Sequence, residues 1–172
     1  MQKYLIHAFR LLLLTTMLAL TACGFQLRGH ADLPQGMEKV YLQADASVIL
    51  TRHLQRALIQ AGAEMVTDID QATAILMIEN EEQKRSVLSV SDTARVREYE
   101  SFYSVTFALR KNDGSIILPK QTIELRRDYS FNENVVLAKE REQANLVRDM
   151  QEEAVQVILR KIRYTQKSVS KP

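Results

Sequence analysis

The segment from Tyr99 to Phe131 limits the fold more than any other part of the chain. Tyr99, Tyr103, Val105, Phe107 and Leu109 fall on odd positions, while Glu98, Glu100, Ser104, Thr106 and Arg110 fall on even ones. Period two with one polar face marks an antiparallel strand that lays one side on a core. Asn112-Asp113-Gly114 follows, a turn sequence suited to a hairpin. The return segment carries Ile123, Leu125, Tyr129 and Phe131 on one face and Lys120, Thr122, Glu124, Arg126 and Asp128 on the other. Pro119 lacks a backbone donor, so it belongs at an edge or a bulge. Arg127 falls on the otherwise apolar face. There it snorkels to the sheet end, pairs with a carboxylate, or binds a ligand.

The remaining elements follow from their periods. Lys39-Val40-Tyr41-Leu42-Gln43 reads as a short first strand. Asp45 or Ser47 can then cap a helix whose apolar stripe is Leu50, Leu54, Ala57, Leu58 and Ala61, and Gly62 stops it. His53 lies off that stripe and reads as a solvated residue. Ala72 to Ile78 is a continuous apolar run, the mark of a strand covered on both faces. It continues into the polar stretch Glu79 to Arg85, so this strand starts in a core and projects past it. The Glu79 to Glu82 run reads as a solvated face. Asn132 or Asn134 turns the chain into a last helix from about Leu137 to Arg163, with Val147, Met150, Ala154, Val157 and Ile158 on its apolar face. Arg141, Arg148 and Glu152 lie opposite, Arg148 and Glu152 forming an i,i+4 pair. Such a helix is about 38 Å long, which implies an elongated body.

The expected order is β-α-β-β-β-α. The economical packing is an α+β two-layer sandwich, a mixed four-stranded sheet with two helices packed on one face. This single domain spans 38–164, and the polar residues 165–172 are expected to fray.

The N-terminus carries a different signal. Lys3 and Arg10 precede the apolar run Leu11 to Leu20, and Leu20-Thr21-Ala22-Cys23 ends it. A basic head, an apolar stretch and small residues at the cut form a secretory signal. The run is too short for a membrane span, which needs about 20 apolar residues. A plain signal would leave Cys23 as an ordinary thiol, a liability in an oxidising compartment. A lipoprotein box is the better reading. Residues 1–22 are then a signal peptide, and Cys23 is the lipidated first residue of a tether, 23–37. Within it Gly24, Gly29, Pro34 and Gly36 break regular structure, and Leu33 or Phe25 docks on the body. Two or more acyl chains hold a protein on a membrane surface where one is marginal.

Removing residues 1–22 takes away two basic residues and no acidic ones, leaving 150 residues with 21 basic and 21 acidic side chains. That balance argues against a general nucleic-acid binder. With one cysteine there are no disulfides and no thiolate metal cluster. His30 and His53 lack metal-ligand spacing, and no phosphate loop, nucleophile elbow or zinc-protease motif occurs. No catalytic residues, metal site or cofactor are expected. What remains is local positive charge. Lys84 and Arg85 end one strand, and Arg95 and Arg97 begin the next. Pairing through Asp92-Thr93-Ala94 would gather all four bases at one end of the sheet. Lys139 and Arg141 open the last helix, whose N-terminus favours anions. Converging ammonium and guanidinium groups suit phosphate.

Three stretches resemble the LptE family of lipopolysaccharide-assembly lipoproteins. Cys23-Gly24-Phe25-Gln26-Leu27-Arg28 is similar to the family's Cys-Gly-aromatic-x-Leu-Arg. Leu137-Ala138-Lys139-Glu140-Arg141-Glu142-Gln143 is similar to the Leu-Ala-Lys-x-x-Glu-Gln that starts the family's last helix, and Glu98-Tyr99 also matches. The resemblance implies a non-enzymatic protein of the cell outer membrane. It would be lipid-anchored on the periplasmic side, and it would sit as a plug inside the barrel LptD and bind lipopolysaccharide. Gly24 fits the outer membrane, because Asp at that position would retain the protein in the inner one. The family's lysine contact maps onto Lys139. Its second basic residue, in the loop between the second and third expected strands, maps onto Ser91, a departure that Arg95 or Arg97 could cover. Lys139, Arg95, Arg97, Lys84 and Arg85 are thus the candidate lipopolysaccharide contacts, competing with divalent cations for the lipid A phosphates. Two rival readings share the anchor and fold: a scaffold lipoprotein that binds no glycolipid, and an accessory of a lipid transporter.

Overall fold

One five-stranded sheet organises the computed structural model, which describes residues 33–132 and 135–169 and, upstream, His7 alone. In chain order the elements are β1 (Lys39–Ala44), α1 (Val48–Gln60), β2 (Glu64–Val66), a 3-10 turn (Ile69–Gln71), β3 (Ala74–Val90), β4 (Val96–Lys111), β5 (Ile116–Ser130) and α2 (Val136–Val169). The strands lie in the order β2-β1-β3-β4-β5. β1 is parallel to both its neighbours, and β3, β4 and β5 are antiparallel. The expected α+β class and mixed sheet are present, with one strand more than the four expected. That strand, β2, is three residues long and follows Gly62, whose φ of +97° reverses the chain. Three residues are too few to display a period, and only the pairing with β1 defines it.

α1 begins where Ser47 Oγ accepts a hydrogen bond from Leu50 N at 3.2 Å. It buries Leu50, Leu54 and Leu58 against the sheet. These residues form one cluster with Val40, Leu76, Ile78, Phe107 and Leu109 of the strands and Met150, Ala154 and Ile158 of α2. A single cluster that holds both helices and one side of the sheet places the helices on the same face, as expected. Met37 is buried in this core and Leu33 packs at its margin. Cys23, Phe25 and the tether upstream of Leu33 lie outside the described residues.

β3 runs 17 residues and does leave the core. Ala74, Leu76 and Ile78 face the helices, and the register then slips between Ile78 and Asn80. The extra residue of a bulge exchanges the two faces of a strand. Glu81, Gln83, Arg85 and Val87 therefore take the helix side, opposite Val105, Tyr103, Ser101 and Tyr99 of β4. The Asn112-Asp113-Gly114 turn closes as expected, with Lys111 N donating to Ser115 O at 2.8 Å and Gly114 at a φ of +88°. β5 is an edge strand, and its pairing with β4 slips between Leu118 and Gln121, leaving Pro119 unmatched there.

α2 returns along β5. Lys139 Nζ reaches Ser130 Oγ at 3.1 Å and Lys161 Nζ reaches Gln121 Oε1 at 2.7 Å. From Lys139 to Lys161 the helix rises about 33 Å. From Gln121 to Ser130 the strand spans about 30 Å. Equal travel means that helix and strand run side by side. At 34 residues α2 continues to Val169, past the expected end near Arg163. Its whole length, about 51 Å, matches the 16-residue β4 at about 53 Å and makes the body elongated.

Candidate functional site

The far end of the sheet is built by two returns of the chain. β3 and β4 are joined at Ser91–Arg95, where Ser91 N donates to Arg95 O at 2.7 Å and Ala94 takes a φ of +59°. Beyond β5, Phe131 N donates to the carbonyl of Arg97 at 2.7 Å, and the chain then enters α2. Arg97 is itself an unmatched residue, since Ser89 pairs with Glu98 and Val90 with Val96. Arg97, Ser130, Phe131 and Lys139 thus share this end. Exposed Val87, Leu88, Val90, Val135, Val136 and Leu137 lie on the same hairpin tip and helix start.

The candidate bases do not form one cluster. Arg85 pairs across to Ser101, four residues and roughly 13 Å along the strand from Arg97. Arg85 stacks over the Tyr99 ring at 4.5 Å and donates to Gln143 Oε1 at 2.9 Å. Tyr99 in turn stacks on Tyr129 at 5.8 Å and meets Phe131 edge-on at 5.2 Å. Gln143 is one helical turn from Lys139, so Arg85 and Lys139 meet the same flank of α2. Lys84 goes the other way. Successive strand residues point to opposite faces, and Lys84 lies on the uncovered face, paired with Glu82 at 2.6 Å. Arg95 is exposed in the turn, its N–H held by Ser91 Oγ at 3.2 Å.

Lys139 is the most enclosed of these bases. Its side chain is 17% exposed, and its Nζ donates to Glu142 Oε2 at 2.7 Å as well as to Ser130 Oγ.

A second polar centre marks where the projecting half of the sheet leaves the core. Glu81 accepts hydrogen bonds from Ser47 N, Ser47 Oγ (3.0 Å), Tyr103 Oη (2.8 Å) and Gln151 Nε2 (2.9 Å). Burial pushes the Glu81 carboxyl up, but these donors outweigh it and hold the group below the ordinary carboxylate range. Burial and the Glu81 charge push the Tyr103 phenol well up. Four donors, from the N-cap of α1, β4 and α2, make this carboxylate a joint between the three elements. The expectation of a solvated Glu79 to Glu82 run fails at Glu81, because the bulge after Ile78 turns it inward.

Among the described residues no group of His, Cys, Asp and Glu is arranged to hold a metal ion, and no helix is long and apolar enough to cross a membrane. Residues 37–162 match the LptE family, described as lipopolysaccharide-assembly. The chain belongs to the LptE family. Membership places it in lipopolysaccharide assembly in a non-enzymatic role. The LPS-assembly lipoprotein LptE of Pectobacterium atrosepticum is 26% identical over 156 residues, 90% of this chain and 84% of that protein. The solution structure of a lipoprotein B from Nitrosomonas europaea is 34% identical, with a TM-score of 0.69 over 81% of this chain and 90% of the other. The crystal structure of the rare lipoprotein B from Shewanella oneidensis is 30% identical, with a TM-score of 0.67 over 77% and 99%.

In this chain Ser91 stands where the family pattern led us to expect a base. Its hydroxyl bonds Arg95 N and lies 3.0 Å from Thr93 Oγ1, so it holds the turn that presents Arg95. Arg127 takes the carboxylate partner foreseen for it, ion-pairing with Glu153 of α2. His53 does not stand in solvent as expected. α2 lies across that flank of α1, leaving the His53 side chain 16% exposed and 3.7 Å from Glu152. Glu152 thereby faces His53 rather than serving only the Arg148 pairing expected along the helix.

Proposed function

We propose that this LptE-family chain is an outer-membrane lipoprotein, anchored through Cys23, that assembles with the barrel LptD as its plug and binds lipopolysaccharide. Lys139 is the central contact. It lies in the Leu-Ala-Lys stretch, and its ammonium group is fixed at the far end of an elongated body, beside the backbone of Arg97 and the turn that carries Arg95. These bases, with Arg85 one helical turn along, compete with divalent cations for the lipid A phosphates and loosen glycolipid aggregates without a covalent step. From residue 23 onward 21 basic and 21 acidic side chains balance, and such a mixed surface suits a wet barrel interior.

The observation that carries the reading is the placement of Lys139 at that end. Affinity purification from detergent-solubilised outer membrane tests the partner: a roughly equimolar large barrel is expected, and its absence would end the plug reading. Lys139→Asp tests the ligand. It should lower lipopolysaccharide binding by about tenfold while the barrel complex survives, the loss expected when an attractive charge-assisted contact becomes a repulsive one. The scaffold reading has one observation in its favour, since Lys139 and Arg85 already have internal partners. It requires the wild type to bind lipopolysaccharide no better than Lys139→Asp does.

A further inference from the structure

Lys139 already has an anionic partner inside the chain. Its Nζ is held from two sides, by the Ser130 hydroxyl at the end of β5 and by the Glu142 carboxylate three residues along α2. The two sides differ. Ser130 belongs to the sheet and fixes where the ammonium group sits. Glu142 is 47% exposed against 17% for Lys139, so its carboxylate can swing into water while the lysine stays in place. The neighbouring base is treated differently. Arg85 is held by the neutral amide of Gln143, so its charge is not cancelled. Lys139 of α2 and Arg85 of β3 thus lie along one turn of the same helix flank, one neutralised by an adjacent carboxylate and the other held by a neutral amide.

We propose that Glu142 is an internal competitor that regulates Lys139, occupying the ammonium group until a phosphate of an anionic glycolipid displaces it. This rests on the reading of Lys139 as a glycolipid contact. Ser130 and Glu142 take two of the three N–H donors of Lys139, and the Glu142 charge both offsets that of the ammonium group and repels a phosphate, so the two anions compete. Displacement requires no refolding, because Ser130 keeps the lysine aimed and only one exposed side chain moves. The effect is to weaken the grip at this point, which suits a protein that passes its ligand on. An ion pair with an exposed partner contributes up to about 1 kcal/mol, so the competitor should weaken binding by up to about fivefold.

The test is binding of the purified full chain to purified lipopolysaccharide at fixed ionic strength. It compares wild type, Glu142→Gln, Lys139→Ala, the double variant and Glu140→Gln. Glu142→Gln keeps the side-chain shape and removes the charge. It should tighten binding by up to about fivefold, and the gain should vanish when Lys139→Ala is also present. Glu140→Gln makes the same charge change two residues away on the exposed surface and should gain less. An unchanged or weakened Glu142→Gln, in a protein whose binding does fall with Lys139→Ala, overturns the competitor and leaves the Lys139 site standing. A gain that persists without Lys139, or that Glu140→Gln reproduces, also overturns it, since bulk charge would then explain the effect. If Lys139→Ala binds as wild type does, the underlying site fails and the competitor with it.

Discussion

The two ends of this molecule are held together by different forces. Around β1 and α1, Val40, Leu50, Leu54, Leu58, Leu76, Phe107 and Leu109 are completely enclosed, and the chain packs as a protein interior should. Toward the hairpin tip the contacts are an arginine over a ring, a stacked tyrosine pair, the Arg127–Glu153 ion pair and the ties of Lys139. Apolar side chains there stand in solvent. Each contact of the second kind contributes about 1 kcal/mol, and apart from the buried Tyr129 ring each has at least one partner open to water. The core end therefore sets whether the chain folds, while the far end can rearrange around a ligand at low cost. Regions that open locally are drawn from such weakly packed ends.

The comparison is broken most easily at the core. Phe107→Ala should lower the stability of the whole chain by about 3–5 kcal/mol, the usual cost of emptying an enclosed aromatic site. Denaturant unfolding would show it as a shifted midpoint for the near end and the tip together. A chain that lost only its far end would mean that the core is elsewhere.

Glu81 lies between the two ends and comes next. Glu81→Gln should cost about 2 kcal/mol, because it removes a charge that accepts bonds from three elements. It also carries a pH signature. The folded carboxyl titrates below its ordinary value of 4.5, so its contribution is complete above that pH and is lost as pH falls through the lower, folded value. Glu38 and Asp113 are shifted the same way, but both are exposed and shared by the two proteins. Unfolding free energies measured from pH 7 down to pH 2 should therefore converge for wild type and Glu81→Gln in acid. A constant gap would mean that Glu81 acts through shape and not charge.

These two residues also mark what was legible in the sequence. Phe107 stands in an unbroken alternation, and a period of two names its face without further help. The apolar stripes of α1 and α2 are equally plain, so the class, the order of the longer elements and the helix-covered face could be read directly. Glu81 could not, since one extra residue after Ile78 exchanges the faces of β3 and no local pattern announces it. Alternation alone parts Lys84 from Arg85, and the slip after Ile78 decides which of the two takes the helix side. β2 was too short to show a period, and His53 looked solvated because the path of α2 is a tertiary fact. Lys139 was marked by its place at the start of the last helix and by likeness to a family, but its pairing with Ser130 needs the end of β5 and the start of α2 brought together.

The far end should answer much more weakly. Arg127→Met removes the pair with Glu153, two side chains each nearly half exposed. A global loss under about 1 kcal/mol is expected, with faster hydrogen exchange confined to the turns of α2 around Glu153 and the adjoining part of β5. A loss above 2 kcal/mol, spread through the core, would erase the distinction between the two ends.

Tyr129 sharpens it with a change of sign. Its ring is buried and stacked on Tyr99, yet its hydroxyl has no hydrogen-bond partner among the described residues, nor does the hydroxyl of buried Ser101 beside Arg85 and Arg127. Taking such a group out of water costs about 1–3 kcal/mol with nothing returned. Tyr129→Phe keeps the stack and drops the hydroxyl, so it should leave stability unchanged or raise it by up to about 1 kcal/mol. In the core end the corresponding change, Tyr103→Phe, removes a donor to Glu81 and should destabilise. If thermal unfolding shows both variants losing stability alike, the far end is satisfied as fully as the core, and its freedom to rearrange around a ligand goes with it.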